Sequence, residues 1–237
     1  MTSVAPRTQD DGRARQGVLL LHGHSRTGRS MGKLATRLRA AGFATWAPTY
    51  SFRAPLPKVV DRLLPELAAF ERSFDGPLHI VAHSLGSLVA RALLVRQRPY
   101  PLGRVVMLAP PNGGSEWADV LSRVRLNRIA LGAMAPHLLT ARPSDDASLP
   151  AAVDFELGVI AGDRALDPIL PRLILPRPND GKVSVAATRI AGMSEHVVLP
   201  VTHTLMIFNP RVGEQVQAYL ETGRFLDVED GVLRRSA

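Results

Sequence analysis

A serine lies where a strand-like stretch of the sequence gives way to helical spacing. In "HIVAHSLGSLVARALL" (79–94) the apolar stretch ends at Ala82, and Ser84 follows two positions later. A serine in this place is often a helix N-cap, because its hydroxyl accepts from free backbone N–H groups. A nucleophile would also suit this position, since a helix N-terminus favours negative charge. Ala82 and Gly86 are small enough for a sharp strand-to-helix turn, which favours the nucleophile.

A nucleophilic serine needs a base, because its hydroxyl is poorly reactive at neutral pH. The junction resembles the nucleophile elbow of α/β-hydrolases, and in that family the chain order is serine, then acid, then histidine. Four of the seven histidines precede or adjoin Ser84, which leaves His137, His196 and His203. His137 falls in an irregular segment, and His196 begins the strand-like "HVVLPV", where a structural role is expected. His203 follows that strand by two residues, so a loop could return its side chain to the sheet, and we predict it as the base.

Two aspartates between Ser84 and His203 are candidates for the acid that orients the histidine. Asp180 stands in "PNDGKVSV", and Asp163 stands in "VIAGDRALDP", directly after a predicted strand. Asn-Asp-Gly is also a turn signal in its own right, and Asp163 could equally cap a turn. Asp180 is the first choice and Asp163 the alternative, and spacing alone leaves both open.

The elements that must position these residues alternate between strands and helices. This alternation predicts an α/β fold with a mostly parallel central sheet and helices on both faces. Pro65 is expected to kink its helix or to split it in two. The predicted strands are 17–23, 43–50, 77–82, 103–109, 155–162 and 196–201, and the predicted helices are 30–42, 56–74, the segment after Ser84, and 210–222.

The chain of 237 residues is expected to form one catalytic domain, 17–237, after a flexible tail, 1–16. The alternation breaks at about 111–152. Between 115 and 139 there are too many apolar side chains for a plain surface loop. This excursion should therefore form either a small lid over the cleft above Ser84 or part of the core. The side chains concerned are Trp117, Val120, Leu121, Val124, Leu126, Ile129, Leu131, Met134 and Leu138.

Composition and missing motifs exclude several classes of protein. The absence of cysteine excludes disulfides and thiolate metal sites. The net charge is +8, but the arginines are scattered, and their longest cluster is the pair Arg234 and Arg235. A nucleic-acid binder would concentrate them in one patch or tail. No P-loop, dinucleotide-binding glycine motif or H-E-x-x-H motif is present. We expect no nucleic-acid partner, no metal and no cofactor.

The location of the protein is predicted from apolar segments. No stretch of about 18 apolar residues occurs, so no membrane span is expected. The segment "MTSVAPRTQDDGRARQ" lacks the apolar stretch of a secretory signal. We therefore expect a cytoplasmic protein.

Five segments together resemble a bacterial α/β-hydrolase of the small lipase and esterase type. The resemblance covers about residues 17–226. Within it, residues 82–86 are similar to the G-x-S-x-G nucleophile elbow, with alanine in place of the first glycine. The resemblance implies that Asp180 orients His203, that His203 takes the proton of Ser84, and that Ser84 attacks a carbonyl. The segments are "LLLHGHSRTGRSM", "VAHSLGSLVARALL", "MLAPPNGGSEWAD", "PNDGKVSV" and "PVTHTLMIFNP".

The same resemblance implies the remaining parts of the site and the activity. The oxyanion hole would use the backbone N–H groups of Leu85 and His24, and His22 would support the loop that carries His24. The implied activity is hydrolysis of a small-molecule or lipid carboxylic ester without a cofactor. A thioesterase or acyltransferase using the same residues is an alternative, as is a non-catalytic binding protein of this fold.

Overall fold

Six parallel strands form the centre of the computed structural model, which describes residues 16–123, 125–141, 149–166, 174–229 and 232–234. Their spatial order is β2-β1-β3-β4-β5-β6, and a separate antiparallel pair, β7-β8, follows near the C-terminus. The strands are β1 (Gly17–Leu21), β2 (Ala44–Trp46), β3 (Leu78–His83), β4 (Leu102–Leu108), β5 (Leu157–Gly162), β6 (Glu195–Leu199), β7 (Asp227–Glu229) and β8 (Val232–Arg234).

Helices cover both faces of this sheet, so the predicted fold, a mostly parallel sheet flanked by helices, is confirmed. The helices are α1 (Gly32–Ala40), α2 (Leu56–Glu71), α3 (Leu85–Arg96), α4 (Glu116–Arg123), α5 (Asn127–Leu131), α6 (Ala135–Leu138) and α7 (Pro210–Thr222). Short 3₁₀ turns lie at Gly28–Met31, Gly132–Met134, Ala186–Thr188 and Met206–Phe208. Within the described ranges, no helix has the length and apolar character that crossing a bilayer requires.

The apolar character of β1 reflects burial on both of its sides. Leu19 and Leu21 pack into one core cluster with α2 and α3, whereas Val18 and Leu20 pack into a second cluster with α1 and α7. Successive strand side chains point to opposite faces. A strand that is covered on both faces is therefore apolar throughout rather than alternating.

The helix that contains Pro65 is continuous, so of the two expected outcomes, a kink or a split, the split is wrong. Proline removes the N–H that would bond to the carbonyl of Asp61. Pro65 is on the exposed side of α2, where that carbonyl can bond to water instead. Leu63 and Leu67 on the opposite side are buried and hold both halves of the helix on the core.

The second strand is shorter than the predicted 43–50, because only Ala44–Trp46 pairs with β1. β2 is the edge strand, and Pro48 has no N–H to donate to a ladder. Beyond Trp46 the chain packs against the 3₁₀ turn that follows β1, where the N–H of Gly28 donates to Thr49 Oγ1 at 3.0 Å. This path brings Tyr50 beneath the loop after β1.

The order of the strands creates a crevice at the carboxyl ends of β1 and β3. After β1 the chain forms β2 on one side and then returns to form β3 on the other side. The loops that leave β1 and β3 therefore diverge. Ligand sites of open parallel sheets lie in such a crevice. These two loops carry His24 and Ser84.

The excursion predicted at 111–152 is divided between the core and the surface. Met134 and Leu138 join the core cluster beneath α2 and α3, whereas Leu126 and Ile129 are exposed. Val124 and residues 142–148 lie outside the described residues, as do residues 1–15 of the predicted tail.

His79, within β3, is buried, and its neutral imidazole forms a hydrogen bond through each ring nitrogen. Its Nδ1 accepts the N–H of Arg104 at 2.8 Å, and its Nε2–H donates to Gln16 Oε1 at 2.7 Å. Burial, followed by the positive charge of Arg104, lowers the pKa of His79 to about 4. Protonation would also break the bond from Arg104.

We expect His79 to make the fold sensitive to acid. An unfolded histidine binds its proton near pH 6.5. The folded one binds it only near pH 4. The contribution of His79 to the free energy of unfolding is therefore lost as pH falls through this interval. His79→Gln should lessen that loss by at most about 3 kcal/mol. Chemical denaturation of both proteins at pH 7.5 and pH 4.5 measures the difference. An equal loss in both would contradict the expectation.

Candidate active site

Ser84 stands on a sharp turn between β3 and α3. Its φ of 52° and ψ of −121° are unusual for a residue with a side chain, and such backbone geometry costs about 1–3 kcal/mol. The N–H of Ser84 donates to the carbonyl of Leu108 at 2.8 Å, which helps to hold the turn. A Cβ added to Gly86 would lie 2.6 Å from the carbonyl oxygen of Leu21, so only glycine fits there. The turn presents the Ser84 hydroxyl to a cavity at the edge of the sheet.

His203 brings its ring between Ser84 and Asp180. Its Nε2 is 2.9 Å from Ser84 Oγ, and its Nδ1 is 2.7 Å from Asp180 Oδ2. A carboxylate only accepts hydrogen bonds, so the proton of the neutral ring is on Nδ1 and Nε2 is left to accept from the serine hydroxyl. This arrangement can remove a proton from Ser84 as the hydroxyl attacks.

The carboxylate of Asp180 is fixed from three directions. Oδ2 faces His203, and Oδ1 accepts from the backbone N–H groups of Lys182 at 2.9 Å and Val183 at 2.8 Å. The N–H of His203 also donates to the Asp180 carbonyl at 3.0 Å. A Cβ on Gly162, at the end of β5, would lie 2.9 Å from the Cβ of Asp180. The missing side chain of Gly162 therefore lets the Asp180 loop approach the sheet.

Asp163, the alternative acid, is placed differently. It follows β5, where its N–H donates to the carbonyl of Leu199 at 3.2 Å. Its carboxylate is 3.5 Å from the Nε of Arg164, in an ion pair whose aspartate side chain is 34% exposed. Of the two candidate acids, Asp180 is therefore the one in contact with His203.

His83 supports His203, a contact that was not predicted. Its Nε2–H donates to the His203 carbonyl at 3.0 Å, and the two rings are 5.1 Å apart. Burial, followed by the neighbouring His203, keeps the pKa of His83 well below its ordinary value, so the ring is neutral. The acceptor is a backbone carbonyl 120 positions along the chain, and no residue type signals such a partner.

His22 supports the loop after β1, as the sequence suggested. Its Nδ1–H donates to the carbonyl of Gly23 at 2.9 Å, and its Nε2 accepts the N–H of Tyr50 at 3.2 Å. The Tyr50 ring stacks on it at 4.0 Å, and the Tyr50 hydroxyl donates to the His22 carbonyl. Burial lowers the pKa of His22, consistent with the neutral ring that these bonds require.

The two predicted oxyanion donors both lie at the cavity that contains Ser84. Leu85 is the first residue of α3, and N–H groups in a first helical turn have no acceptor within the helix. His24 follows Gly23, whose added Cβ would be 3.3 Å from the Cβ of Ser84. The loop after β1 therefore passes directly against the serine. The ring of His24 packs on Phe52 at 4.2 Å.

The cavity above Ser84 has a volume of about 370 Å³ and a lining that is partly apolar and partly polar. One wall is apolar and comes from the excursion after β4. The polar part of the lining includes Arg26, Lys182 and Thr204. Among the residues that the structure describes, no group of three or more histidine, aspartate or glutamate side chains could hold a metal ion. The apolar wall consists of Trp117, Ala118, Leu121, Ala130, Leu131 and Leu138.

Hydrogen bonds tie α4 and the residue before it to the loop that follows Asp180. The indole N–H of Trp117 donates to the Gly181 carbonyl at 3.0 Å. The hydroxyl of Ser115 donates to the Lys182 carbonyl at 3.2 Å. The apolar wall and the loop that follows Asp180, here called the acid loop, are therefore joined side by side above the sheet.

The sequence matches a family model described as "Alpha/beta hydrolase family" over residues 18–219. No curated protein matches the chain. Among solved structures, the mature form of the lipase BlEst2 from Bacillus licheniformis is 14% identical, with a TM-score of 0.66, and the match covers 86% of this chain and 90% of that one.

Two further solved structures extend the range of activities among similar folds. A metagenomic carboxyl esterase, MGS0156, is 19% identical with a TM-score of 0.65, covering 81% of this chain and 66% of that one. The haloalkane dehalogenase DpaA from Paraglaciecola agarilytica NO2 is 11% identical with a TM-score of 0.58, covering 90% and 86%. At these identities the likeness concerns the fold alone.

Proposed function

The chain belongs to the alpha/beta hydrolase family, and from this premise we propose that it is a serine hydrolase that cleaves carboxylic esters. The observation that carries the proposal is the continuous hydrogen-bonded series from the Ser84 hydroxyl through His203 to Asp180, with distances of 2.9 and 2.7 Å. A series of this kind makes a serine nucleophilic at neutral pH.

In the proposed reaction, Ser84 Oγ attacks the ester carbonyl while His203 Nε2 takes its proton. Asp180 stabilises the resulting imidazolium and holds the ring in place. The backbone N–H groups of Leu85 and His24 would bind the oxyanion, each contributing about 3 kcal/mol. His203 then gives its proton to the departing alcohol. Water, activated by the same histidine, releases the acid from the acyl-enzyme.

A serine nucleophile disfavours the haloalkane chemistry of one structural neighbour. Attack of Ser84 on a haloalkane carbon would form an ether, which has no carbonyl for water to attack. The enzyme would then be blocked after one event. Attack on an ester gives an acyl-serine, which water activated by His203 can hydrolyse while the oxyanion donors stabilise the intermediate. Of these two reactions, ester hydrolysis is therefore the one that permits repeated turnover.

A panel of p-nitrophenyl esters of increasing acyl length, together with a fluorophosphonate probe, tests the proposal. We expect turnover of the esters and covalent labelling of the protein. The apolar wall should favour medium acyl chains over acetate, because apolar surface is buried as the chain enters. Folded protein that neither turns over any ester nor takes the label would contradict the proposal and favour a non-catalytic binding protein.

The apolar wall should set the preference for acyl length. Leu121→Ser should lower kcat/KM for p-nitrophenyl octanoate about tenfold and change the acetate ester far less, since a short acyl group does not reach the wall. Ile129→Ser is the matched control, because Ile129 is 77% exposed and is not among the residues that line the cavity. Equal losses on both esters would show that Leu121 serves the core instead.

A further inference from the structure

Two cations, Arg26 and Lys182, line the cavity of Ser84. In the part of the chain that the structure describes, no aspartate or glutamate lines this cavity. Nor does either cation form an ion pair with a carboxylate of the described residues. The positive charge at this cavity is therefore not paired with any carboxylate of the described residues.

Arg26 is held beside the loop of His203. Its guanidinium donates to the carbonyl of Thr204 at 3.3 Å and lies 5.7 Å from the centre of the Phe208 ring. A guanidinium has five N–H donors in a planar fork. The bond to Thr204 orients this fork and leaves donors that can bind an anion.

Lys182 has a fixed backbone and an exposed side chain. Its N–H donates to Asp180 Oδ1 at 2.9 Å, and its carbonyl accepts from Ser115 at 3.2 Å. The side chain extends from this anchored position at the cavity. An ammonium group on a flexible stem can follow an anion as a substrate enters.

The positive charges of both residues reach into the site. Burial and the neighbouring His203 are the main reasons that the pKa of His83 is lowered, and the charges of Arg26 and Lys182 lower it further. The charge of Lys182 also contributes to the lowered pKa of His24, after burial. An anion in the cavity would therefore be attracted by both cations.

The position of Arg26 identifies which part of an ester it would meet. His203 gives its proton to the departing alcohol, so the alcohol part must extend over the loop of His203. Arg26 is bonded to the residue that follows His203. The acyl part is then left to the apolar wall of the cavity.

We propose that the alcohol part of the substrate carries an anionic group, a phosphate or a carboxylate, which Arg26 and Lys182 bind. This inference rests on the proposed ester hydrolysis. Charge-assisted hydrogen bonds to such groups are about twice as strong as neutral ones, and arginine can form two at once. The reaction remains cleavage of the acyl C–O bond by water, which yields an apolar acid and an anionic alcohol.

The test uses two octanoate esters that differ by one carboxylate. One is 3-octanoyloxy-4-nitrobenzoate, and the other is 2-nitrophenyl octanoate, which lacks the carboxylate. Both release a coloured nitrophenol, and both are used below their aggregation points. The ratio of kcat/KM for the anionic ester to that for the neutral ester is measured. We expect a ratio of about ten, which falls several-fold at high salt because salt screens exposed charges.

Variants then assign this ratio to the two cations. Arg26→Gln and Lys182→Gln should each lower the ratio several-fold, and the double variant should bring it close to one. Arg96→Gln is the matched control. Arg96 ends α3, the helix that begins beside Ser84, so about 17 Å of helix separates it from the site. Its removal should leave the ratio unchanged.

Each further outcome decides a different question. Turnover of both esters at equal rates, or a ratio that both variants leave unchanged, overturns the inference and leaves the ester hydrolase standing. No turnover and no fluorophosphonate labelling overturns the proposed function itself. Phosphatidylglycerol vesicles test whether the cations contact a lipid surface instead. Loss of vesicle binding by the variants with an unchanged ratio would overturn the inference in favour of such a surface.

Discussion

Ser84→Ala should lower ester turnover by about 10⁴- to 10⁶-fold, because the serine, histidine and acid of such a site act as a unit. The change removes the nucleophilic oxygen and its 2.9 Å bond to His203. Alanine is smaller than serine and meets the same backbone strain at this φ, so the fold should persist. The measurements are the turnover of p-nitrophenyl octanoate, fluorophosphonate labelling and thermal unfolding.

Ser87→Ala provides the matched control for this change. Ser87 is buried in the first turn of the same helix, and its hydroxyl donates to the Ala82 carbonyl at 3.3 Å. It is not among the residues that line the cavity. This variant should keep both labelling and turnover. Labelling that persists in Ser84→Ala would show that another residue is the nucleophile.

Asp180→Asn should lower turnover by about 10⁴-fold. The oxygen of the new amide can still accept from the N–H groups that now bond to Asp180 Oδ1. Its NH₂ group then faces Nδ1 of His203 and donates to it, which moves the ring proton to Nε2. The ring can no longer accept the proton of Ser84. Stopped turnover with normal thermal unfolding would separate this effect from loss of the fold.

Asp163→Asn is the comparison that tests the assignment of the acid. Asp163 pairs with Arg164 at a partly exposed site, and such pairs contribute little to stability. Its variant should therefore remain close to the wild type in turnover. If Asp163→Asn stopped turnover and Asp180→Asn did not, the acid would have to be reassigned.

The strands and Ser84 could be predicted because their signals are local. The apolar stretches at β1 and β3 reflect burial on both faces of the sheet, and the small residues around Ser84 reflect the tight turn. The choice between Asp180 and Asp163 has no such signal. It depends on the absence of a side chain at Gly162, which lets one loop approach the sheet.

Features that depend on tertiary contacts were predicted less well. Pro65 did not split its helix, because the burial of Leu63 and Leu67 outweighs one lost backbone bond on an exposed side. The excursion after β4 contains residues of both predicted kinds. Met134 is in the core and Leu121 lines the cavity, although both belong to the same predicted set of apolar side chains. Their difference comes from the surface that each side chain meets.

The bonds that join α4 to the acid loop have a consequence for how this site could change during evolution. Trp117 and Ser115 donate to the backbone carbonyls of Gly181 and Lys182, so neither bond involves the side chain of Lys182. A substitution at Lys182 therefore keeps the acceptor and leaves the attachment intact. Natural variation at residue 182 could alter the preferred charge of the alcohol part of the substrate without disturbing the pocket for its acyl part. The two halves of a substrate could thus be selected independently of each other.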